Sequence, residues 1–100
     1  MTAYMVILAE INDRDSFTQY AAKAAGLVAE FGGEYVANGA GESQCLEGDW
    51  PEETRLVISK WLSMEKARNF WNSPDYQEIK QLRQGNSTVR VRLIEGSDFL

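Results

Sequence analysis

An α+β fold with the element order β-α-β-β-α-β is predicted by three observations. Apolar residues switch along the chain between strand-like runs and helix-like spacing, the helical runs are bounded by capping and glycine signals, and the first strand is apolar on both faces. The first run, Ala3 to Ile11, is long enough for a strand and too short for a core helix. It sets Met5, Ile7 and Ala9 on one side and Tyr4, Val6 and Leu8 on the other, as in a strand covered on both sides. Asn12 and Asp13 then supply a turn and an N-cap. Phe17, Tyr20, Ala21, Ala24, Leu27, Val28 and Phe31 form one stripe of an amphipathic helix, which Gly32 and Gly33 stop.

The second strand is expected over Glu34 to Asn38, where Gly39-Ala40-Gly41 breaks it. A short extension from Ser43 to Leu46 is expected to continue the pairing, with Cys45 as a small apolar residue in it. Glu47 to Pro51 reads as loop, because glycine, aspartate and proline each disfavour regular strand. Arg55 to Leu62 is the third strand. Ser63 caps a helix carrying Met64, Ala67, Phe70 and Trp71, and Ser73-Pro74 restarts it, proline being harmless at the first helical position. Tyr76, Ile79, Leu82 and Arg83 keep helical spacing until Gly85. Ser87 to Glu95 is the last strand, and Gly96 begins the tail. No internal repeat or linker interrupts the pattern, so residues 1–100 read as one domain.

Composition narrows the chemistry. A chain this short buries only about two-thirds of its unfolded surface, so a second subunit would help complete its core. The net charge of −5 argues against a general nucleic-acid binder and against attraction to an anionic membrane. The start has no basic leader, and its apolar run is too short to span a bilayer, so a cytoplasmic protein is expected. There is no histidine, which removes the commonest general base and metal ligand. The lone Cys45 excludes an intrachain disulfide and multi-cysteine metal sites, and no basic neighbour in sequence activates its thiol. Glu47 and Asp49 alone are too few ligands for a metal. No metal or resident cofactor is expected. Any catalysis would rest on carboxylates, tyrosines, arginines, the thiol or a borrowed cofactor.

The predicted order is the split βαβ, or ferredoxin-like, pattern: a four-stranded antiparallel sheet with helices on one face. In the last strand Val89, Val91 and Leu93 should meet the helices, leaving Thr88, Arg90, Arg92 and Ile94 on the uncovered face. The simplest cover for a partly apolar open face is a second copy, sheet against sheet. AYMVILAEI (Ala3 to Ile11), FGGEYVANG (Phe31 to Gly39), LEGDWP (Leu46 to Pro51), RLVI (Arg55 to Ile58), Ser63 and Ala67, NSPDYQ (Asn72 to Gln77), Arg83 and LIEG (Leu93 to Gly96) together resemble the bacterial family catalogued as domain of unknown function 1330. Trp61 departs from it, standing where the family more often has phenylalanine. The resemblance implies a ferredoxin-like protomer, a homodimeric α+β barrel, and little about activity. The wider barrel class includes metal-free monooxygenases of aromatic substrates, haem-degrading enzymes and ligand-sensing domains, an analogy of fold alone.

The candidate site residues each carry two readings. Arg90 and Arg92, with Tyr4 and Glu10 on the first strand, either grip a small organic anion through planar guanidinium donors or bridge to Glu10 and Glu95 or simply reach solvent. Arg55 and Arg83 either pair with a carboxylate or face an anion, since a buried guanidinium must be paired by something. Tyr76 either packs onto the sheet or joins them. Trp50 either lids a pocket or seals the core or dimer edge, and Trp61 with Trp71 supplies aromatic walls. Three classes of function follow: a homodimer binding a small anionic or aromatic ligand at the sheet face; a cofactor-free oxygenase or isomerase in which Glu10 removes a proton; or a structural protein with a filled interior. The enzyme question stays open at this level.

Overall fold

The computed structural model describes residues 1–51, 54–85 and 87–96, so the tail expected after Gly96 lies outside the described residues. β1 (Ala3–Ile11) runs through the centre of a four-stranded sheet, between β3 (Thr54–Trp61) and β4 (Ser87–Glu95), and β2 (Glu34–Ala37) forms the edge beyond β3. All three pairings are antiparallel. Facing residues of a ladder share a side of the sheet, so the register sorts the side chains. Met5 faces Ser59 and Leu93, and Ile7 faces Val57 and Val91, on the side that the helices cover. Val6 faces Ile58 and Arg92, and Leu8 faces Leu56 and Arg90, on the side that they do not. The expected valine-inward, arginine-outward alternation of β4 is present.

The helices begin where their caps dictate. The Asp13 carboxylate accepts from the Ser16 backbone N–H at 3.2 Å and starts α1 (Arg14–Glu30). The Ser63 hydroxyl accepts from the Lys66 N–H to start α2 (Met64–Trp71), and Ser73 does the same for Tyr76 in α3 (Pro74–Lys80). A 3₁₀ turn over Gln81–Arg83 follows α3. α1 ends in a Schellman motif: the Gly33 N–H donates to Val28 at 2.9 Å and the Gly32 N–H to Ala29 at 3.1 Å, with Gly32 at φ 87°. None of these helices, among the described residues, is long and apolar enough to cross a membrane.

The core lies between this helical layer and the inner row of the sheet. Ala3, Ala9 and Ala67 are completely buried, and such small side chains let backbones come close. Trp61, 1% exposed, is the largest fully buried side chain. Its ring centroid lies 4.9 Å from that of Phe70, and its indole N–H donates to Ser59 Oγ at 2.9 Å, so the polar handle of a buried tryptophan is satisfied.

Two sequence expectations are corrected. Ser43 to Leu46 forms no strand, and Cys45 is exposed instead of being packed in a sheet. The reason is local: β2 already shifts register between Tyr35 and Ala37, where its pairing ends, and Gly39 then takes a φ of 75°, which breaks the extended path before Ser43 is reached.

Gly33 lies against the Trp61 ring so closely that a Cβ there would sit 2.7 Å from the nearest ring atom, although its φ is not positive. Gly33→Ala should therefore lose about 1–3 kcal/mol in urea denaturation through overpacking. Pairing it with Trp61→Leu, which vacates that space, should yield a loss smaller than the sum of the two single losses.

Candidate functional site

On its inner face the sheet offers valines and isoleucine where α1 offers alanines, and the layers do not close. Ile7, Val57 and Val89 below and Ala21 and Ala24 above leave a cavity of about 160 Å³, walled by the Phe17 and Tyr20 rings. Space of this order holds one aromatic ring. Arg55, Arg83 and Tyr35 complete the polar part of the lining.

Arg83 is brought there by the 3₁₀ turn, which tightens the chain after α3 and carries the side chain beneath α1. It is only 7% exposed. Its Nη2 donates to the Tyr76 hydroxyl at 3.3 Å, and its Cζ lies 5.2 Å from the centroid of the Tyr20 ring, within range for a cation–π contact. The Tyr20 and Tyr76 hydroxyls are hydrogen-bonded at 2.8 Å. A guanidinium carries five N–H donors, and here the buried Nε has no partner. The partners it does have among the described residues are phenols, not the carboxylate that a salt bridge would require.

These contacts set the local electrostatics. Burial, reinforced by the neighbouring Tyr76, raises the Tyr20 phenol well above its ordinary pKa, and Arg83 offsets this only in part. Burial also raises Tyr35. For Arg83, burial works against the charge, but the bond to Tyr76 and the two phenols outweigh it and the guanidinium is held still more firmly protonated. The site thus combines a fixed cation with neutral hydroxyls in apolar walls.

Arg55 stands at the mouth. Its Nε donates to the Asn38 carbonyl at 2.7 Å. Gly39 makes room for it: a Cβ at that residue would meet both Arg55 Cγ and the Leu56 carbonyl at 2.6 Å. Outside Arg55 lies a wider vestibule of about 530 Å³, bordered by Arg14, Thr18 and Thr54, which shares Phe17 and Arg55 with the inner cavity.

Of the residues singled out from sequence, the structure thus brings together Arg55, Arg83 and, behind the latter, Tyr76. Tyr4, Glu10, Arg90 and Arg92 lie on the opposite, uncovered face of the sheet, both arginines exposed. Trp61 packs in the core, and Trp71 stacks on Tyr76 at 5.0 Å with Lys80 over its ring. Trp50 is 51% exposed in the loop and borders a groove over Leu8 and Leu56 on the uncovered face. Sequence reasoning missed Tyr20 and Tyr35 as site residues. By spacing Tyr20 belongs to the apolar stripe of α1, and its hydroxyl is the signal that one position in that stripe needs a polar partner.

Because the folded-state pKa of Tyr20 is raised, its contribution to stability is fully present below the unfolded tyrosine value near pH 10 and is lost as pH climbs toward the folded value. Denaturation midpoints measured from about pH 8 to 11 should fall at the alkaline end. The fall should be shallower in Tyr20→Phe, and absorbance titration of that variant should lack the latest-ionising phenol.

The fold is shared with solved structures. RPA0582 of Rhodopseudomonas palustris, a protein of unknown function, superposes with a TM-score of 0.79 at 17% identity, covering 97% of this chain and 83% of that one. SnoaB, a cofactor-independent oxygenase from Streptomyces nogalater, superposes with a TM-score of 0.71 at 16% identity, covering 99% and 96%. An uncharacterized NIPSNAP-like domain protein from Burkholderia xenovorans gives 0.64 at 10% identity, covering 99% and 88%. At these identities the likeness is one of fold. No curated protein matches the sequence. The family model described as domain of unknown function (DUF1330) matches residues 2–97, nearly the whole described chain, and the protein belongs to that family.

Proposed function

We propose that this protein binds a small planar organic molecule in the helix-side cavity and anchors it by an anionic or ionisable oxygen to Arg83. The observation that carries this reading is the buried guanidinium with an unpartnered Nε at the wall of an apolar cavity. A buried cation whose neighbours are neutral phenols still lacks a counter-charge, and an incoming anion supplies one. The apolar walls favour an aromatic or similarly flat body, and the cavity size limits it to about one ring. This moves the ligand site from the uncovered sheet face to the face beneath α1, with Arg55, Arg83 and Tyr76 kept from the sequence reading.

A second reading is cofactor-free oxygenation, supported by the fold shared with SnoaB and by a cation placed to stabilise an organic anion. The described cavity lining has no carboxylate to act as base, and Glu10 lies on the other face. The substrate would then have to ionise on its own acidity, its anion held by Arg83.

For the uncovered face the proposed occupant is a second copy. Leu56 and Ile94 are 40% and 43% exposed there, beside Arg90 and Arg92. The loop that borders the same face carries Leu46 and Trp50 with Glu47 and Asp49, so a two-fold contact can match each apolar patch with another and arginine with acid. The exposed lone thiol suits a reducing compartment, and the cytoplasm is the proposed setting.

Titration calorimetry with phenol and with benzoate should detect binding. Arg83→Gln should weaken it about 10- to 100-fold, the range of a lost hydrogen bond to a charged group, and Ala21→Leu should abolish it by filling the cavity while leaving Arg83 in place. Oxygen uptake by the same mixtures would select the second reading; its absence leaves binding. Light scattering should give twice the 11.3 kDa chain mass, and Leu56→Glu should return the protein to a monomer. A wild-type monomer at micromolar concentration would remove the dimer proposal.

A further inference from the structure

Charge is distributed unevenly around the cavity. The chain carries 15 acidic residues against 10 basic ones, yet the described linings of the inner cavity and of the vestibule contain Arg14, Arg55 and Arg83 and not one acid. The two spaces share Phe17 and Arg55 in their walls, so the Arg55 end of the inner cavity adjoins the vestibule that Arg14 borders. The outer arginines differ from the inner one in solvation. Arg83 is buried, Arg55 is half-buried and tied by its Nε to Asn38, and Arg14 is exposed at the first position of α1. Among the described residues Arg55 is hydrogen-bonded through its Nε alone, and Gly39 secures the space through which its side chain passes.

From this we infer that the ligand is bifunctional: a single aromatic ring with a hydroxyl or enol oxygen directed inward to Arg83 and a carboxylate directed outward to Arg55 and Arg14, the hydroxybenzoate class. The inference rests on the proposed binding reading and adds the second group and the orientation. The orientation follows from desolvation. A carboxylate is costly to strip of water, and it keeps part of its hydration in the wide vestibule. A phenolic oxygen enters at lower desolvation cost as the neutral form, and the adjacent guanidinium favours its ionisation, so the group that suits one unpartnered N–H and a ring-sized apolar space also supplies the counter-charge Arg83 lacks. Arginine at the mouth gives bidentate recognition of the carboxylate.

The test is calorimetry of the purified protein with three probes, phenol, benzoate and 4-hydroxybenzoate, at about 0.05 M and 0.5 M salt. The expected result is that 4-hydroxybenzoate binds at least about tenfold more tightly than phenol at low salt, and that raising the salt shrinks this margin, because an outer contact is screened and the buried one is not. Arg14→Gln, at an exposed side chain, should reduce the margin while leaving phenol affinity unchanged. Equal affinities for phenol and 4-hydroxybenzoate overturn the bifunctional inference and leave the binding reading intact. A margin indifferent to both salt and Arg14→Gln overturns it also, by removing the vestibule arginines from recognition. Failure of all three probes to bind overturns both readings.

Discussion

The arrangement of this protein depends on how one buried guanidinium is accommodated. Arg83 cannot be hidden without partners, and the partners it finds come from separate elements: the Tyr20 ring from α1 and the Tyr76 hydroxyl from α3. Because Tyr20 and Tyr76 are also bonded to each other, the helices and the 3₁₀ turn are fastened around the charge, while the sheet below lines the same cavity with Ile7, Val57 and Val89 beside Tyr35 and Arg55. Satisfying such a group in part is enough to bury it, and the part left over is what makes the cavity wall chemically specific.

The two faces of the sheet solve different problems with the same alternating pattern. The inner face is closed at one end by bulk, where Trp61, Phe70 and Gly33 pack without a gap, and left open at the other by alanines of α1 above valines of the sheet. The outer face carries apolar residues along its centre with arginines on β4, which suits association more than enclosure. The proposed ligand site and the proposed assembly face thereby lie on opposite sides of the sheet.

Most of the fold was legible from local signals. Each helix start was announced by a side chain able to cap it, and each strand by its period, so β1 and β4 agree with their sequence limits residue for residue. The edge was harder to read. Ser43 to Leu46 has strand-like composition, yet pairing there depends on whether the neighbouring edge is straight, and the register shift in β2 with Gly39 after it decides against it. The candidate site was half legible. Arg55 and Arg83 stood out because arginine in apolar surroundings demands an explanation. Tyr20 did not, because a tyrosine in a helical stripe is first a hydrophobic residue, and the partner of its hydroxyl lies 56 positions away.

The sequence by itself determined the element order, the caps, the two-faced sheet and the absence of histidine chemistry, because all of these depend on residues close together in the chain or on counting. Only the tertiary structure decided which arginines share a cavity. The alternation of the last strand already put Arg90 and Arg92 on the uncovered face, but it assigned Arg55 no side, and the antiparallel register places Arg55 opposite Ala9 on the helix side, with Arg90 opposite Leu8 on the other. A shift of one residue in the β1–β3 register would have put Arg55 on the uncovered face instead, and register is a property of the packed sheet, not of any single strand.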